Sequence, residues 1–423
     1  MHDHRATVEA VFRSESGRII AGLIRISHSF DLAEEAMQDA FAAAVVSWQT
    51  EGIPENPGAW ITATARRKLI DYARREQTRR NNEDQLLYEY ESRGNTINQQ
   101  MDSPFEDDRL SLIFTCCHPA INMQAQIALT LRTLGGLTTP EIARAFLVPE
   151  VTLAQRLVRA QRKIQQARIP YQVPDAGSLP ERLSAVQSVL YLIFNEGYSA
   201  SSGDSLVRRE LCAEAIRLAR TLAELMPENP ESMALLALML LHDSRRDTRS
   251  SADGQLVTLE EQDRSLWHQD QIAEGIRLVE RALGRRNAGP YQLQAAIAAV
   301  HAEARTAGET DWKQIAALYN LLKASQPSAI VSLNHAVAIA MSESLERGLA
   351  LIDDLGSSGE LDSYHLYHAA RADLLRRMGR TREALESYSR GLALTSNAVE
   401  LRYLRRRISE LGNQGDPLNV SKQ

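Results

Sequence analysis

Apolar residues recur at helical spacing in this 423-residue sequence, and this periodicity most restricts the fold that the chain can adopt. Met37, Phe41, Ala44 and Trp48 follow one another at steps of three or four residues, which places them on one face of a helix. The proline-containing stretch 51–58 interrupts the pattern, because proline cannot continue a helix. The same kind of spacing returns along the rest of the chain, and it predicts an all-α fold.

A second amphipathic helix follows, and its outward face is strongly basic. Ile61, Ala65, Leu69 and Tyr72 form its apolar face. The basic residues between positions 66 and 80 are Arg66, Arg67, Lys68, Arg74, Arg75, Arg79 and Arg80. A helix that is anchored by its apolar side presents such charges outward, as contact with a phosphate backbone requires. At this point a merely solvated helix face remains the alternative.

Two capping boxes predict where helices begin. Asp31 with Glu34, and Thr138 with Glu141, have the spacing at which the side chains and backbone of a first helical turn satisfy each other. The second box opens a short helix, which a break at residues 147–149 separates from a longer one. This order is typical of a helix-turn-helix, whose longer helix enters the major groove of DNA. A plain helical hairpin is the alternative.

The longer helix is the second basic segment of the chain. Leu153, Leu157, Ala160 and Ile164 point inward by their spacing, and no acidic residue occurs between positions 151 and 168. Its outward residues are Thr152, Gln155, Arg156, Arg159, Arg162 and Lys163. Glutamine and arginine side chains recognise adenine and guanine, respectively, by paired hydrogen bonds in the major groove. The helix therefore has the residues that reading of duplex DNA needs.

Composition limits the remaining classes of function. The net charge is −6, so any contact with DNA must come from local basic patches. No apolar stretch predicts a membrane span or a secretory signal, and three cysteines fit a reducing cytosol, so we expect a cytoplasmic protein. Adjacent Cys116 and Cys117 do not readily supply two ligands of one zinc ion, and a buried thiol pair is predicted instead. No catalytic motif appears, so we expect neither enzyme activity nor a cofactor or metal.

Two blocks of the sequence resemble extracytoplasmic-function sigma factors, which are alternative sigma factors of bacterial RNA polymerase. The first block of this chain, which resembles region two of that family, is DLAEEAMQDAFAAAVVSW followed by NPGAWITATARRKLIDYARRE. The second block, which resembles region four, is GLTTPEIARAFLVPEVTLAQRLVRAQRKI. The blocks come in the order of the family and lie within the first 170 residues. The resemblance implies a protein that binds core RNA polymerase and promoter DNA.

The resemblance also implies a role for each helix. The first would dock on the largest polymerase subunit, and its implied contacts are Asp31, Glu35, Gln38, Asp39 and Phe41. The following loop and helix would capture the melted proximal promoter element, with implied contacts at Asn56, Arg66, Arg67, Lys68, Asp71, Arg74 and Arg75. The second basic helix would read the distal element as duplex through Glu150, Thr152, Gln155, Arg156, Arg159, Arg162 and Lys163.

The remaining 250 or so residues have the pattern of helical repeats. Gly379, Ala384, Tyr388 and Gly391 match the small–aromatic–small spacing of a tetratricopeptide repeat. Two upstream segments keep the offsets of Ala384, Tyr388 and Ser396, namely Ala215, Ala219 and Pro227, and Ile315, Tyr319 and Pro327. Helices of that period bury a core only by stacking, which predicts an α-solenoid with a concave groove and a longer loop at residues 242–262. A protein or peptide in that groove is a candidate partner.

The resemblance extends to a subgroup of these sigma factors that has a fused tetratricopeptide-like extension. FNEGY (Phe194–Tyr198), GPYQLQAAIAAVHA and SLNHAVAIA look like its characteristic segments. The resemblance implies that the extension governs sigma activity in place of a separate anti-sigma protein. Asn195, Glu196 and Tyr198 are candidates for an interdomain contact, and a helix that simply stops at Gly197 is the alternative.

The predicted organisation has three domains and their connections. Region two covers residues 1–78, a flexible linker 79–104, region four 105–170, a second linker 171–180, the repeat domain 181–412 and a disordered tail 413–423. Two other classes of protein stay open: a helix-turn-helix regulator with a repeat-type sensor domain, and an enzyme built on the solenoid. Binding of single-stranded DNA by the first basic helix would favour the sigma factor over the regulator, whereas a bound cofactor would favour the enzyme.

Overall fold

The computed structural model of the chain is almost entirely α-helical. It describes residues 4–81, 108–146, 148–200, 202–203, 206–251, 253–284 and 288–414. Apart from isolated bridges and short 3-10 turns, the regular structure of these residues consists of helices and one pair of two-residue strands, so the predicted all-α class is confirmed. They form two compact units, one ending at Leu190 and the other beginning at Tyr191. None of the helices in these ranges is long and apolar enough to cross a membrane.

The N-terminal unit contains two groups of helices. The first group is α1 (His4–Ser27), α2 (Phe30–Glu51) and α3 (Pro57–Asn81). The second group is α4 (Arg109–Cys116), α5 (Met123–Thr133), α6 (Thr139–Ala145) and α7 (Glu150–Gln166). Helix α8 (Leu179–Tyr198) begins in this unit and ends in the next.

The predicted apolar faces form the core of the first group. Met37, Phe41, Ala44 and Trp48 of α2 are all buried, as are the three aliphatic residues predicted on the inner face of α3. The ring of Trp48 packs edge to face on Trp60, with 5.6 Å between the ring centroids. Burial of such large side chains is the main source of stability of this group.

The start of α2 differs from the prediction. Ser29 is the N-cap residue, and its hydroxyl accepts a hydrogen bond from the backbone N–H of Leu32 at 3.3 Å. Asp31 lies inside the first turn, where its charge faces the positive end of the helix dipole. The predicted capping box with Glu34 is therefore wrong, because a serine two residues upstream supplies the acceptor at the helix start.

The capping box at the start of α6 is confirmed. The hydroxyl of Thr138 accepts a hydrogen bond from the backbone N–H of Glu141, whose carboxylate accepts one from the backbone N–H of Thr138 at 2.7 Å. The four residues predicted on the inner face of α7 are Leu153, Leu157, Ala160 and Ile164, and all are buried. Both helices thus begin and face the core as their sequences predict.

The two groups of helices pack closely on each other. A Cβ atom added to Gly17 of α1 would lie 3.1 Å from the carbonyl oxygen of Leu134, which follows α5. Gly136 has a φ of +69°, and a Cβ atom there would lie 3.1 Å from both the Phe12 ring and the Ser16 hydroxyl. A Cβ atom at either position would force its neighbours to move by a few tenths of an ångström, and at Gly136 the backbone conformation also favours glycine.

Polar contacts reinforce this packing. The guanidinium of Arg25 lies 2.8 Å from the carboxylate of Asp108, and the hydroxyl of Tyr171 donates a hydrogen bond to the carbonyl oxygen of Ala21 at 2.8 Å. Arg25 and Ala21 belong to α1, whereas their partners belong to the segments before α4 and after α7. The groups that were predicted as separate sigma regions therefore form one packed unit.

The cysteines are free and buried, as predicted for the adjacent pair. Cys116 and Cys117 end α4, and their sulfur atoms contact the hydroxyls of Thr133 and Thr130 at 3.3 and 3.6 Å. Burial raises the pKa of Cys117 and of Cys212 to about 12, and that of Cys116 still further. No group of three or more histidine, cysteine, aspartate or glutamate side chains in the described ranges could hold a metal ion.

The C-terminal unit is a succession of helices that pack on their neighbours along the chain. They are α9 (Arg209–Leu225), α10 (Pro230–Asp243), α11 (Gln269–Leu283), α12 (Pro290–Glu303), α13 (Trp312–Ser325), α14 (Ala329–Ser342), α15 (Leu345–Gly356), α16 (His365–Arg377), α17 (Thr381–Leu394) and α18 (Ala398–Gln414). The strands β1 (Ser202–Gly203) and β2 (Ser396–Asn397) pair in parallel. The predicted repeat positions Ala384 and Tyr388 are buried in one of its hydrophobic clusters.

The long loop predicted near residues 242–262 lies between α10 and α11 and is held by arginines of α18. Arg402 donates a hydrogen bond to the carbonyl oxygen of Gly254 at 3.0 Å, and Arg407 lies 2.9 Å from the carboxylate of Glu261. A cleft of about 370 Å³ lies between the loop and residues of α14, α16 and α18. The loop therefore forms one wall of the cleft.

The FNEGY segment lies inside the last turns of α8. A Cβ atom added to Gly197 would lie 2.7 Å from the backbone nitrogen of Cys212, so the glycine permits close contact between α8 and α9 rather than stopping the helix. Glu196 accepts a hydrogen bond from Arg208 at 2.7 Å. These contacts lie within the C-terminal unit.

Candidate nucleic-acid interface

Helix α2 presents a polar face opposite its buried one. Asp31, Glu35 and Gln38 are exposed on that face, and Asp39 is half-buried at its edge. The carboxylate of Asp39 accepts a hydrogen bond from the hydroxyl of Tyr72 at 2.7 Å. A row of exposed acidic and amide groups on one rigid helix is suited to contact a protein surface of complementary charge.

Phe41 does not belong to this surface. Its side chain is only 7% exposed, and its ring packs edge to face on Phe12 with 4.9 Å between the centroids. In this packing the Phe41 side chain is therefore not available for the implied polymerase contact. The spacing of the apolar residues places Phe41 on the core-facing side of α2. A side chain that packs in the core cannot also contact a partner protein at the surface.

The outward face of α3 is basic, as predicted. Arg67, Asp71 and Arg74 are exposed, whereas Arg66 and Lys68 are half-buried. The Arg66 guanidinium is partly shielded from solvent and lies near the guanidinium of Arg25. Both effects lower the pKa of Arg66, because they make its positive charge less favourable. The side chain of the remaining predicted contact, Arg75, lies outside the described residues.

The polar face of α2 and the basic face of α3 meet at one ion pair. The ammonium of Lys68 lies 3.6 Å from the carboxylate of Asp39, and both side chains are partly exposed. A surface pair of this kind contributes about 1 kcal/mol or less to stability. It can therefore exchange partners at little cost, so Lys68 remains available to a phosphate.

A cleft of about 620 Å³ lies between α1 and the start of α3. The side-chain oxygen of Asn56 accepts a hydrogen bond from the backbone N–H of Ala59 at 3.0 Å, so this predicted contact residue also caps α3. Arg18, Arg66 and Glu15 line the cleft together with the Asn56 side chain. It thus combines donors, an acceptor and a helix N-terminus in one concave site.

Helix α7 lines a second concave surface. A groove of about 700 Å³ runs between α7 and the start of α5, and its α7 residues include Thr152, Gln155, Arg156, Arg159 and Lys163. Arg156 is half-buried and the other four are exposed. The predicted contacts Glu150 and Arg162 are exposed but do not line the groove.

Three of the sequence-based interpretations fall wholly or partly outside the described residues. They are the first residue of the predicted break at 147–149, Leu147, the predicted linker 79–104 from residue 82 onward, and the predicted tail 413–423 from residue 415 onward.

One contact beside the polar face of α2 was not predicted. Glu34 lies 3.3 Å from the guanidinium of Arg132 and accepts a hydrogen bond from Gln161 at 3.5 Å. Burial raises the pKa of Glu34, while Arg132 opposes that rise. The partners lie 98 and 127 residues away, so no local sequence pattern carries this contact. It shows that the second helix group covers one flank of α2.

Comparison with known proteins relates this geometry to two families and one relative. Residues 11–79, which include most of α1 to α3, match the family Sigma-70 region 2, and residues 182–283 match a family of unknown function, DUF6596. The uncharacterized protein R00370 of Rhizobium meliloti (strain 1021) is 41% identical over 419 residues, which cover 98% of each chain. No solved structure matches the chain. The chain therefore belongs to the same family as R00370, and its first helix group is a region 2 domain of RNA polymerase sigma factors.

Proposed function

We propose that this protein is an alternative sigma factor of the extracytoplasmic-function type, with a tetratricopeptide-like domain that modulates its activity. The observation that carries the proposal is the match of residues 11–79 to Sigma-70 region 2. That match falls on a helix group with a polar face on α2 and a basic face on α3. A sigma factor needs both a surface for core polymerase and a surface for DNA.

Helix α2 is the proposed docking surface for core polymerase. Asp31, Glu35 and Gln38 project from consecutive turns of a helix whose opposite side is fixed in the core. Charged groups on such a rigid support set the orientation of a complex and increase its rate of formation.

The cleft at the start of α3 is the proposed site for a base of the melted proximal element. Its volume of about 620 Å³ lies within the range of sites that enclose small molecules. Arg67, Lys68 and Arg74 on the adjacent face would hold the phosphates of the single strand. Asn56 at the rim offers an amide that can hydrogen-bond a base edge.

Helix α7 is the proposed reading helix for the distal element. Gln155 and Arg159 are exposed and lie in the groove with Arg156 and Lys163. Each paired hydrogen bond to a base is worth about 1–3 kcal/mol of discrimination against the wrong base. The start of α5 on the other side of the groove would face a phosphate, because helix N-termini attract anions.

The C-terminal unit is the proposed modulator, and a protein or peptide in its cleft is the proposed partner. The cleft beside the long loop is lined by cationic and anionic side chains, among them Arg264, Arg377 and Asp373. Apolar side chains such as Trp312, Val337 and Met341 line it as well, and this combination suits a peptide that has both apolar and charged side chains. If residues 1–190 alone drove the same transcripts at the same level as the full chain, the modulatory role would be refuted.

A regulator that binds only duplex DNA is the second candidate, because the capping box and exposed face of α7 also fit such a protein. Run-off transcription of fragmented genomic DNA with bacterial core polymerase distinguishes the two. We expect new transcripts with two shared upstream elements, and we expect Arg67→Ala and Gln155→Ala to abolish or redirect them. The control Arg281→Ala, an exposed residue of α11, should leave them unchanged. Absence of transcripts and of any bound core polymerase would refute the sigma factor and favour the regulator.

A further inference from the structure

The C-terminal unit contains a cluster of cationic and aromatic side chains. Carboxylates of the same unit do not neutralise the arginines of this cluster by direct ion pairs. The cluster is built by the end of α8, the end of α10, the loop that follows α10, and α12. Its members are Tyr198, His242, Arg245, Arg249, Arg264 and His301, and all are buried or half-buried. We call it the arginine–histidine cluster.

Two guanidinium groups of the cluster share one phenol ring. The Cζ atoms of Arg249 and Arg245 lie 3.7 and 5.6 Å from the ring centroid of Tyr198. The ring of His242 lies 5.2 Å from the same centroid, and its Nδ1 atom is 3.1 Å from a nitrogen of Arg245. A single aromatic face compensates two positive charges only in part.

The third guanidinium has only neutral partners. Arg264 donates hydrogen bonds to the carbonyl oxygens of His301 and Ala304 at 2.8 and 2.9 Å, and to the hydroxyl of Thr310 at 3.0 Å. Neutral acceptors orient the group but do not cancel its charge.

The nearby carboxylates are engaged elsewhere. Glu400 accepts a hydrogen bond from the hydroxyl of Thr395 and pairs with His365, and Asp243 pairs with Arg246 at the end of α10. Over the described parts of the chain, none of the three arginines of the cluster forms an ion pair with a carboxylate. The cluster therefore holds an excess of positive charge.

Polar atoms of the cluster also lack partners. The Nε atom of Arg264, the Nδ1 atom of His301 and the hydroxyl of Tyr198 are buried without a hydrogen bond to any described residue. The Arg264 side chain is only 7% exposed. Buried donors and charges without partners are costly, and folded proteins retain them mainly where they have a task. Burial and the neighbouring guanidinium groups lower the pKa of His301 to about 3, so its ring is neutral. A neutral imidazole has one nitrogen that donates a hydrogen bond and one that accepts.

We propose that the arginine–histidine cluster binds a small molecule through a phosphoryl group. A phosphoryl group carries up to two negative charges and three acceptor oxygens, which matches several guanidinium groups better than a carboxylate does. Arg245 is the main contact, because its guanidinium contacts both Tyr198 and His242 and its side chain is half-buried rather than enclosed. The phenol and imidazole groups supply further hydrogen bonds to the ligand. This binding site does not depend on the sigma-factor proposal, and its test needs no transcription.

The test is thermal unfolding of the full-length protein in rising concentrations of inorganic phosphate, compared with sodium chloride at equal ionic strength. We expect a saturable rise of the unfolding temperature with phosphate alone. Arg245→Met should weaken phosphate binding about ten-fold or more, as loss of one charge-assisted contact predicts. The matched control Arg277→Met, an exposed arginine of α11, should bind phosphate as the wild type does.

Measurements without phosphate, with a second variant and with other anions separate ligand binding from a purely structural role. In phosphate-free buffer, Arg245→Met should unfold at the same or a higher temperature than the wild type, because it relieves repulsion, whereas a purely structural arginine would lower that temperature. Tyr198→Phe should weaken phosphate binding without loss of the fold. Glycerol 3-phosphate binding more tightly than inorganic phosphate would identify an organic phosphate as the ligand. An equal response to chloride, or a saturable response to succinate without one to phosphate, would overturn the proposal.

Discussion

The ion pair between Arg25 and Asp108 joins the two helix groups of the N-terminal unit, and its removal has a predictable cost. The side chains are 25% and 10% exposed, and their charged atoms lie 2.8 Å apart. Exposed pairs contribute about 0.2–1 kcal/mol, whereas removal of one partner of a buried pair costs about 3–5 kcal/mol. Because this pair is intermediate in burial, we expect Arg25→Met to reduce the free energy of unfolding by about 2 kcal/mol.

A double-mutant cycle separates the pair from the rest of the packing. Asp108→Asn alone should cost about as much as Arg25→Met, because each leaves a charge in a mostly buried site. The double variant should cost about the same as either single one, since it leaves no charge without its partner. The resulting coupling energy of about 2 kcal/mol lies within the range for residues in direct contact. Arg25→Lys keeps the charge and should recover part of the stability.

Hydrogen exchange measured by mass spectrometry reports the effect where it occurs. A loss of about 2 kcal/mol corresponds to a roughly thirty-fold increase in the opening equilibrium of amides in α1 and α4. Helices of the C-terminal unit provide the internal reference, because we expect their protection to be unchanged. Single variants that cost less than about 0.5 kcal/mol, or a double variant equal to the sum of both, would show that this pair does not join the groups as argued.

Three further changes have expected outcomes. Thr138→Ala should cost about 1 kcal/mol in urea unfolding of the second helix group, and Thr138→Asn, which can still cap α6, should cost less. Since burial raises the pKa of Glu34, the folded state holds its proton more tightly, and stability from this group falls as pH rises through and above its ordinary value of 4.5. Glu34→Gln should remove that slope from the pH profile of unfolding. A pH profile of unfolding equal to that of the wild type would contradict this argument. In thermal unfolding, Gly197→Ala should destabilise the C-terminal unit by about 1–3 kcal/mol, because the added Cβ would clash with Cys212. The control Gly412→Ala should be neutral or stabilising in the same assay, because no atom lies within 4 Å of an added Cβ there.

The parts of the fold that could be predicted from the sequence are those that local spacing determines. The buried face of α2, the buried face of α7 and the capping box of Thr138 all depend on residues within a few turns of one another. The start of α2 was missed at similar range, because Ser29 and Asp31 both fit an N-cap and only the backbone conformation selects the serine.

Long-range contacts could not be predicted. Nothing near Glu34 in the sequence indicates that Arg132 lies beside it, and Gly17 is an ordinary helix residue until Leu134 approaches it. The arginine–histidine cluster was missed for the same reason, since its members come from four separate segments. Such contacts arise from tertiary packing, and a single sequence records only the residue types that this packing tolerates.

The buried cysteines make this chain convenient for site-specific labelling. Maleimides and related reagents react with thiolates, and a rise of the pKa from 9.0 to about 12 lowers the thiolate fraction about a thousand-fold at neutral pH relative to an exposed cysteine. A new cysteine at Gln38 or Arg162 would therefore react while the three native thiols stay unmodified. Fluorophores at those two positions would report the separation of α2 and α7 in solution without removal of any native cysteine.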